Sequence, residues 1–300
     1  MTKPKATFAG IYGAILIGSM VNLALGGVGF LLVLQYFKRH GRQDSLLIRA
    51  TIATISILAI LQSVFSSYQV YDLFVTKQGD AKKLNDIIFA VPAYWICGYL
   101  TSFTAELLFC QRIWTMSRRM HSKAGYFIIP AVVFALLQIG AGLALVIVMA
   151  TSGTYSKMSQ RTPFLMETTA VQGVSAALSD ITISATLCYI FHSHRSQIQR
   201  TNSIINKLIT YAINRAMATG ICTLLTVLLF CFYDRTYYFI IFLFASTHLY
   251  VISAVSMLTS GEYLHEDADS TFHVSNLATV TSTLAPEPQT HDRDSASCEK

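Results

Sequence analysis

Seven long apolar runs, separated by short polar loops, constrain this chain more than any other feature. About 20 helical residues, each rising about 1.5 Å, cover the roughly 30 Å of a bilayer's hydrocarbon. Runs of that length lie at Ile11–Phe37, Leu46–Phe74, Ile87–Trp114, Gly125–Ala150, Leu165–Phe191, Leu208–Phe232 and Tyr237–Leu258. Only 13% of residues are charged and 53% are hydrophobic, where an ordinary soluble domain carries roughly 25% charge. The expected fold is all-α, a seven-transmembrane helical bundle over residues 1–260. Residues 261–300 begin acidic and become rich in Ser, Thr and Pro, which predicts a disordered tail without a core. The first run follows Lys3 and Lys5 but is about twice as long as a signal-peptide apolar region, so it is read as a retained helix.

Orientation follows from Lys and Arg in the short loops. Loops after the first, third and fifth runs hold 11 of them, including Lys38, Arg42, Arg112, Arg118, Arg195 and Arg200, against 8 on the opposite side. The N-terminus is therefore expected outside and the C-terminal tail in the cytoplasm. The basic residues are dispersed rather than gathered on one soluble face, so the pI near 9 reads as topology and not as nucleic-acid binding. Of the six cysteines, Cys97, Cys110, Cys188, Cys222 and Cys231 lie inside apolar runs and Cys298 in the tail; neither a disulfide framework nor a metal spacing follows.

The later part of the chain carries three short motifs. Asp180 leads an apolar run that ends in Leu187, Cys188 and Tyr189; Arg200 and Thr201 precede the sixth run, which opens with Leu208, Ile209 and Tyr211; and Leu249, Tyr250 and Val251 lie in the last run. Over about residues 172–262 these resemble a family of fungal, chiefly basidiomycete, seven-helix membrane proteins defined by a C-terminal domain of unknown function. The third motif departs from the family pattern, because Ile252 stands where the family has Asn, although Ser253 is retained. The resemblance implies a seven-helix membrane protein without an assigned biochemical activity.

Ionisable side chains inside apolar runs are costly, by about 2.5–3.5 kcal/mol at a span's centre, and usually face the bundle interior. Glu106, Asp180, Arg215 and His248 form such a candidate intramembrane polar cluster. Three readings are open: a structural ion pair, an Arg215 that snorkels to the headgroups, or a switch in which a carboxylate and Arg215 separate and re-pair. Arg215 is expected to face inward, within reach of Asp180 or Glu106. In the second run Gln62, Ser66 and Gln69 share one face beside Ser63 and Ser67, so they line a cavity with Tyr99 and His248 or serve interhelical hydrogen bonds. Gly10, Ala14, Gly18, Asn22 and Gly26 recur every fourth residue in the first run, a stripe read as close helix packing.

No catalytic, cofactor or metal signature is present, and the chain is expected not to be an enzyme. A G-protein-coupled receptor is disfavoured by Gln111, Arg112, Ile113 and Trp114 at the end of the third run, and a retinal protein by the lack of Lys between Tyr237 and Leu258. The expected function is an integral, multi-pass membrane protein that is receptor-like or sensory, with small-solute or lipid transport as the alternative. Membrane lipids are the implied partners, a cytoplasmic partner is left open, and the ligand and the particular membrane are not specified.

Overall fold

A computed structural model of the chain describes residues 8–39, 45–77, 83–119, 123–194 and 240–256, with short pieces between 210 and 238. The long helices are α1 (Phe8–Arg39), α2 (Leu46–Tyr71), α3 (Ala90–Arg119), α4 (Ile128–Ser152) and α6 (Thr162–His194), with the single-turn α5 (Tyr155–Ser159) between the last two. Two shorter apolar helices follow, α7 (Ala216–Thr226) and α8 (Ile240–Ser256). Pro92, Pro130 and Pro163 all fall in the first turn of a helix, where the missing N–H has no intrahelical partner to lose. Gly153 ends α4 in the left-handed region, at φ +68°, a conformation that glycine adopts without a Cβ clash. α2 ends in a π-helical turn, Asp72–Thr76.

Among the described residues four helices are long and apolar enough to cross a membrane, not seven: Gly13–Lys38, Leu46–Thr76, Gly125–Ser152 and Pro163–Ile190. Two causes reduce the count. The third run does form a 30-residue helix, but Thr101, Ser102, Glu106, Gln111, Arg112 and Arg118 make α3 too polar by composition. In the sixth and seventh runs the described residues form helices of 11 and 17 residues, and the stretches flanking them lie outside the described residues. The expected seven-helix bundle is thus corrected to an all-α fold with four helices of membrane-spanning length among the described residues. The placement of the termini on opposite sides rested on an odd number of crossings and falls with it. Residues 261–300, and with them the expected disordered tail, lie outside the described residues.

α2, α4 and α6 all pack against α3, which explains how that helix carries so many polar side chains. A hydrophobic core of Val33, Tyr36, Ile52, Ile55, Leu108, Phe109, Ile113, Ile183, Leu187 and Val255 fills one part of the interior. Asn22, Gln62, Glu106, Gln138, Asp180 and His248 are buried as well, while Met20, Leu31, Ile57, Leu136, Ile147, Val174 and Ile181 face outward. Polar residues inside and large apolar residues outside invert the pattern of a water-soluble domain and suit helices that contact lipid. The four spans are consistent with a multi-pass integral membrane protein.

A polar clamp holds one end of the fold. Lys77 Nζ meets Asp72 Oδ2 at 3.1 Å and donates to the Asp86 carbonyl at 3.0 Å, with both charged side chains close to nine-tenths buried. The Ile87 N–H donates to the Gly153 carbonyl at 2.9 Å, and Asn85 Oδ1 accepts from the Ser156 N–H and hydroxyl. The segment before α3 is thereby tied to the α4–α5 turn.

Candidate functional site

The stripe of small residues on α1 packs against α8. A Cβ added to Gly18 would lie 3.2 Å from the Phe244 ring, and one added to Gly29 would lie 3.5 Å from Val251. Close approach of the two helices brings Asn22 of α1 to His248 of α8, and Asn22 Oδ1 lies 2.8 Å from His248 Nε2. With Nε2 as the donor, Nδ1 carries the lone pair. The Tyr94 hydroxyl of α3 donates to the same Oδ1 at the long distance of 3.5 Å.

α2 supplies the rest of this cluster. Ser66 shares a 3.0 Å hydrogen bond with Ser19 of α1. Gln62 is fully buried and points at Gly98 of α3, where an added Cβ would lie 3.3 Å from Gln62 Nε2 and 3.5 Å from Thr247 Oγ1. Glycine at that position leaves room for the amide. The Tyr94 hydroxyl lies alongside Gln62, but outside hydrogen-bonding geometry. Asn22 Nδ2, Gln62 Nε2, Gln62 Oε1 and His248 Nδ1 are all buried and accept or donate no hydrogen bond. Buried polar atoms normally have partners, so four such atoms on three helices set this cluster apart from the rest of the interior.

A second polar group lies about 12 Å further along α3, at about 1.5 Å per residue from Gly98. Ser179 of α6 donates to Glu106 Oε2 at 3.2 Å, while Tyr250 and Thr219 both donate to Asp180 Oδ2, at 3.0 and 2.8 Å. Asp180 therefore joins α6, α7 and α8. Glu106 bonds to Ser179, the neighbour of Asp180 on α6, whereas His248 belongs to the Asn22 cluster, since two residues along α8 separate it from Tyr250 and turn it to another side. Arg215 lies outside the described residues.

Of the expected cavity residues, Gln62 and Ser66 turn into the interior and Tyr99 packs against Gly142 and stacks on Trp95 at 5.9 Å. Gln69 is half-buried near the end of α2. An open groove of about 420 Å³ runs between α1 and α2 on the neighbouring face of α2, lined by Gly26, Gly27, Ser56, Ser63, Ser67 and His248 among others. Leu23, Phe30, Ile60 and Val64 on its walls are exposed on the outer apolar surface. Asn22 is the member of this buried polar cluster that the sequence hid, because it sits in register with a stripe of small residues. Its signal was an amide where every other stripe member is Gly or Ala. Among the described residues no group of three or more His, Cys, Asp or Glu side chains converges as a metal site would need.

These features define an all-helical protein with membrane-length helices and a buried, incompletely bonded polar cluster. Residues 176–262 match the Family of unknown function (DUF6534), so under a third of the chain is similar to that family. The match carries neither the seven helices nor the fungal origin that the motifs suggested, and both are withdrawn. It begins within α6 and reaches past α8, taking in Asp180, Thr219, His248 and Tyr250. No curated protein and no solved structure matches the chain.

Proposed function

We propose that the protein is receptor-like: a non-catalytic membrane sensor that binds a small neutral ligand where α1, α2, α3 and α8 meet. The observation that carries this reading is the set of four buried polar atoms without partners on Asn22, Gln62 and His248. Leaving a buried donor or acceptor unsatisfied costs about 1–3 kcal/mol, so a ligand that pairs with several of these atoms gains from satisfying them. None of the three side chains carries a formal charge with His248 neutral, which favours an uncharged ligand over an ion. The three residues sit on three helices, two of them bonded to each other across the α1–α8 contact. A ligand bound there changes the relative stability of alternative packings of those helices, which is what a sensor requires.

The test is a thermal-stability screen of the purified full chain in detergent against uncharged, hydrogen-bonding small molecules. A compound that raises the unfolding temperature of the wild type but not of an Asn22→Leu, Gln62→Leu double variant supports the reading. Compounds that stabilise both forms equally, or none that stabilises the wild type, overturn it.

A further inference from the structure

We propose that the end of the fold where α3 stops and α4 starts holds the headgroup of an anionic phospholipid, with Arg112 as its main contact and Arg118 as a second. Three observations carry this, and none of them involves the Asn22, Gln62 and His248 cluster.

The first is an unanswered charge. Arg112 is partly exposed near the end of α3, yet its Nε is buried without a hydrogen-bond partner, and no ion pair joins its guanidinium to a described residue. A guanidinium withdrawn from water loses hydration that only an anion or further hydrogen bonds replace. Its planar fork of donors matches two oxygens of one phosphate.

The second is the distribution of charge. Ser19 bonds to Ser66 and Gly26 approaches Ser63, while Gly98 lies against Gln62 and Phe89 against Phe65, so α2 runs antiparallel to both α1 and α3. Gly125, just ahead of α4, packs on Ser117 and Trp114 of α3. One end of the fold therefore gathers Lys38, Arg49, Arg112 and Arg118 and, among the described residues, no Asp or Glu. At the opposite end Lys77, Lys83, Lys157 and Arg161 stand among Asp72, Asp86 and Glu167, and Lys77 is paired with Asp72 at 3.1 Å. A head that brought its own ammonium to the first end would meet cations without a carboxylate, which favours a net-negative lipid over a zwitterionic one.

The third is depth. Trp114, Tyr126, Phe127 and Tyr189 are exposed at this end, with Phe127 edge-on to Tyr189 at 5.8 Å. Trp and Tyr on the outer surface of a membrane protein sit at the level of the lipid headgroups. The Arg118 guanidinium lies 5.0 Å from the centre of the Trp114 ring, at that same level. Arg112 precedes Trp114 on α3 and starts about 3 Å deeper, a distance its long side chain spans.

The full chain in detergent micelles is titrated with phosphatidylglycerol or with phosphatidylcholine of the same acyl chains, and bound lipid is counted by native mass spectrometry. Phosphatidylglycerol should bind several-fold more tightly. Arg112→Gln should weaken its binding about tenfold, the effect of one charge-assisted hydrogen bond, and Arg118→Gln about fivefold. Lys157→Gln with Arg161→Gln removes as much charge from the opposite end as the two arginine changes remove here, and should leave binding unchanged. Equal binding of the two lipids overturns the assignment, as does a preference that survives in the Arg112→Gln, Arg118→Gln protein or falls as far in the opposite-end pair. Displacement of the lipid by excess inorganic phosphate would mean a site for the free ion and overturns the lipid as well. If Arg112→Gln does not fold, the comparison of Arg118→Gln with the opposite-end pair decides.

Discussion

Replacing Gln62 by Leu should make the ligand-free protein more stable, an unusual outcome for a fully buried position. Both polar atoms of the Gln62 amide are buried without a partner, and each such group costs about 1–3 kcal/mol. Two circumstances reduce the sum. The Tyr94 hydroxyl lies alongside the amide, and polar groups of an unfolded membrane protein also find partners, which is why interhelical hydrogen bonds average only about 0.6 kcal/mol. A net gain of about 1–2 kcal/mol remains, because Leu keeps nearly the same volume and brings no polar atom. Reversible unfolding in mixed micelles, titrated from a mild detergent to dodecyl sulfate, measures it. A Gln62→Leu protein that is less stable than the wild type by 1 kcal/mol or more (about fivefold in the unfolding equilibrium) would refute the reasoning, since it would mean the amide is already satisfied.

Other substitutions separate packing from polar bonding. Gly142→Ala should lower stability by about 1–3 kcal/mol, because the added Cβ would lie 2.8 Å from the Tyr99 ring, whereas Gly27→Ala, with open space around it, should change it by about 0.5 kcal/mol or less in the same titration. Tyr250→Phe removes a 3.0 Å hydrogen bond to the buried Asp180 carboxyl and should cost about 1–3 kcal/mol, with Asp180→Asn in the same background losing less than it does alone. Lys77→Met leaves Asp72 without its 3.1 Å partner in a largely buried clamp and should cost about 3 kcal/mol; the paired change Lys77→Met, Asp72→Leu should restore much of it.

Helix positions were legible in the sequence, because apolar runs between basic loops have no other common explanation, and α1, α2, α4 and α6 lie where those runs predicted. The number of spans was not. A window of hydropathy does not distinguish a helix that faces lipid from one, such as α3, that packs against α2, α4 and α6 and can carry Thr101, Ser102 and Glu106 inside. Burial of Glu106, Asp180, Gln62, Ser66 and His248 followed from the cost of placing such groups against lipid. Their grouping did not, since depth along each helix says nothing of rotation about it. That rotation sets His248 against Asn22 and Tyr250 against Asp180, two residues apart on α8. It also turns Ser63 and Ser67 to the groove while Gln62 and Ser66 face the core.

Transport of the ligand across sealed vesicles decides between sensing and the competing solute-carrier reading. The full chain is reconstituted in phosphatidylcholine vesicles, and a compound that stabilises the wild type but not the Asn22→Leu, Gln62→Leu variant is added outside. Uptake is then followed against protein-free vesicles and against vesicles holding the variant. A sensor should bind the compound and pass it no faster than the protein-free bilayer does. Saturable uptake that disappears in the double variant would contradict the account and make the Asn22, Gln62 and His248 cluster a station on a transport path.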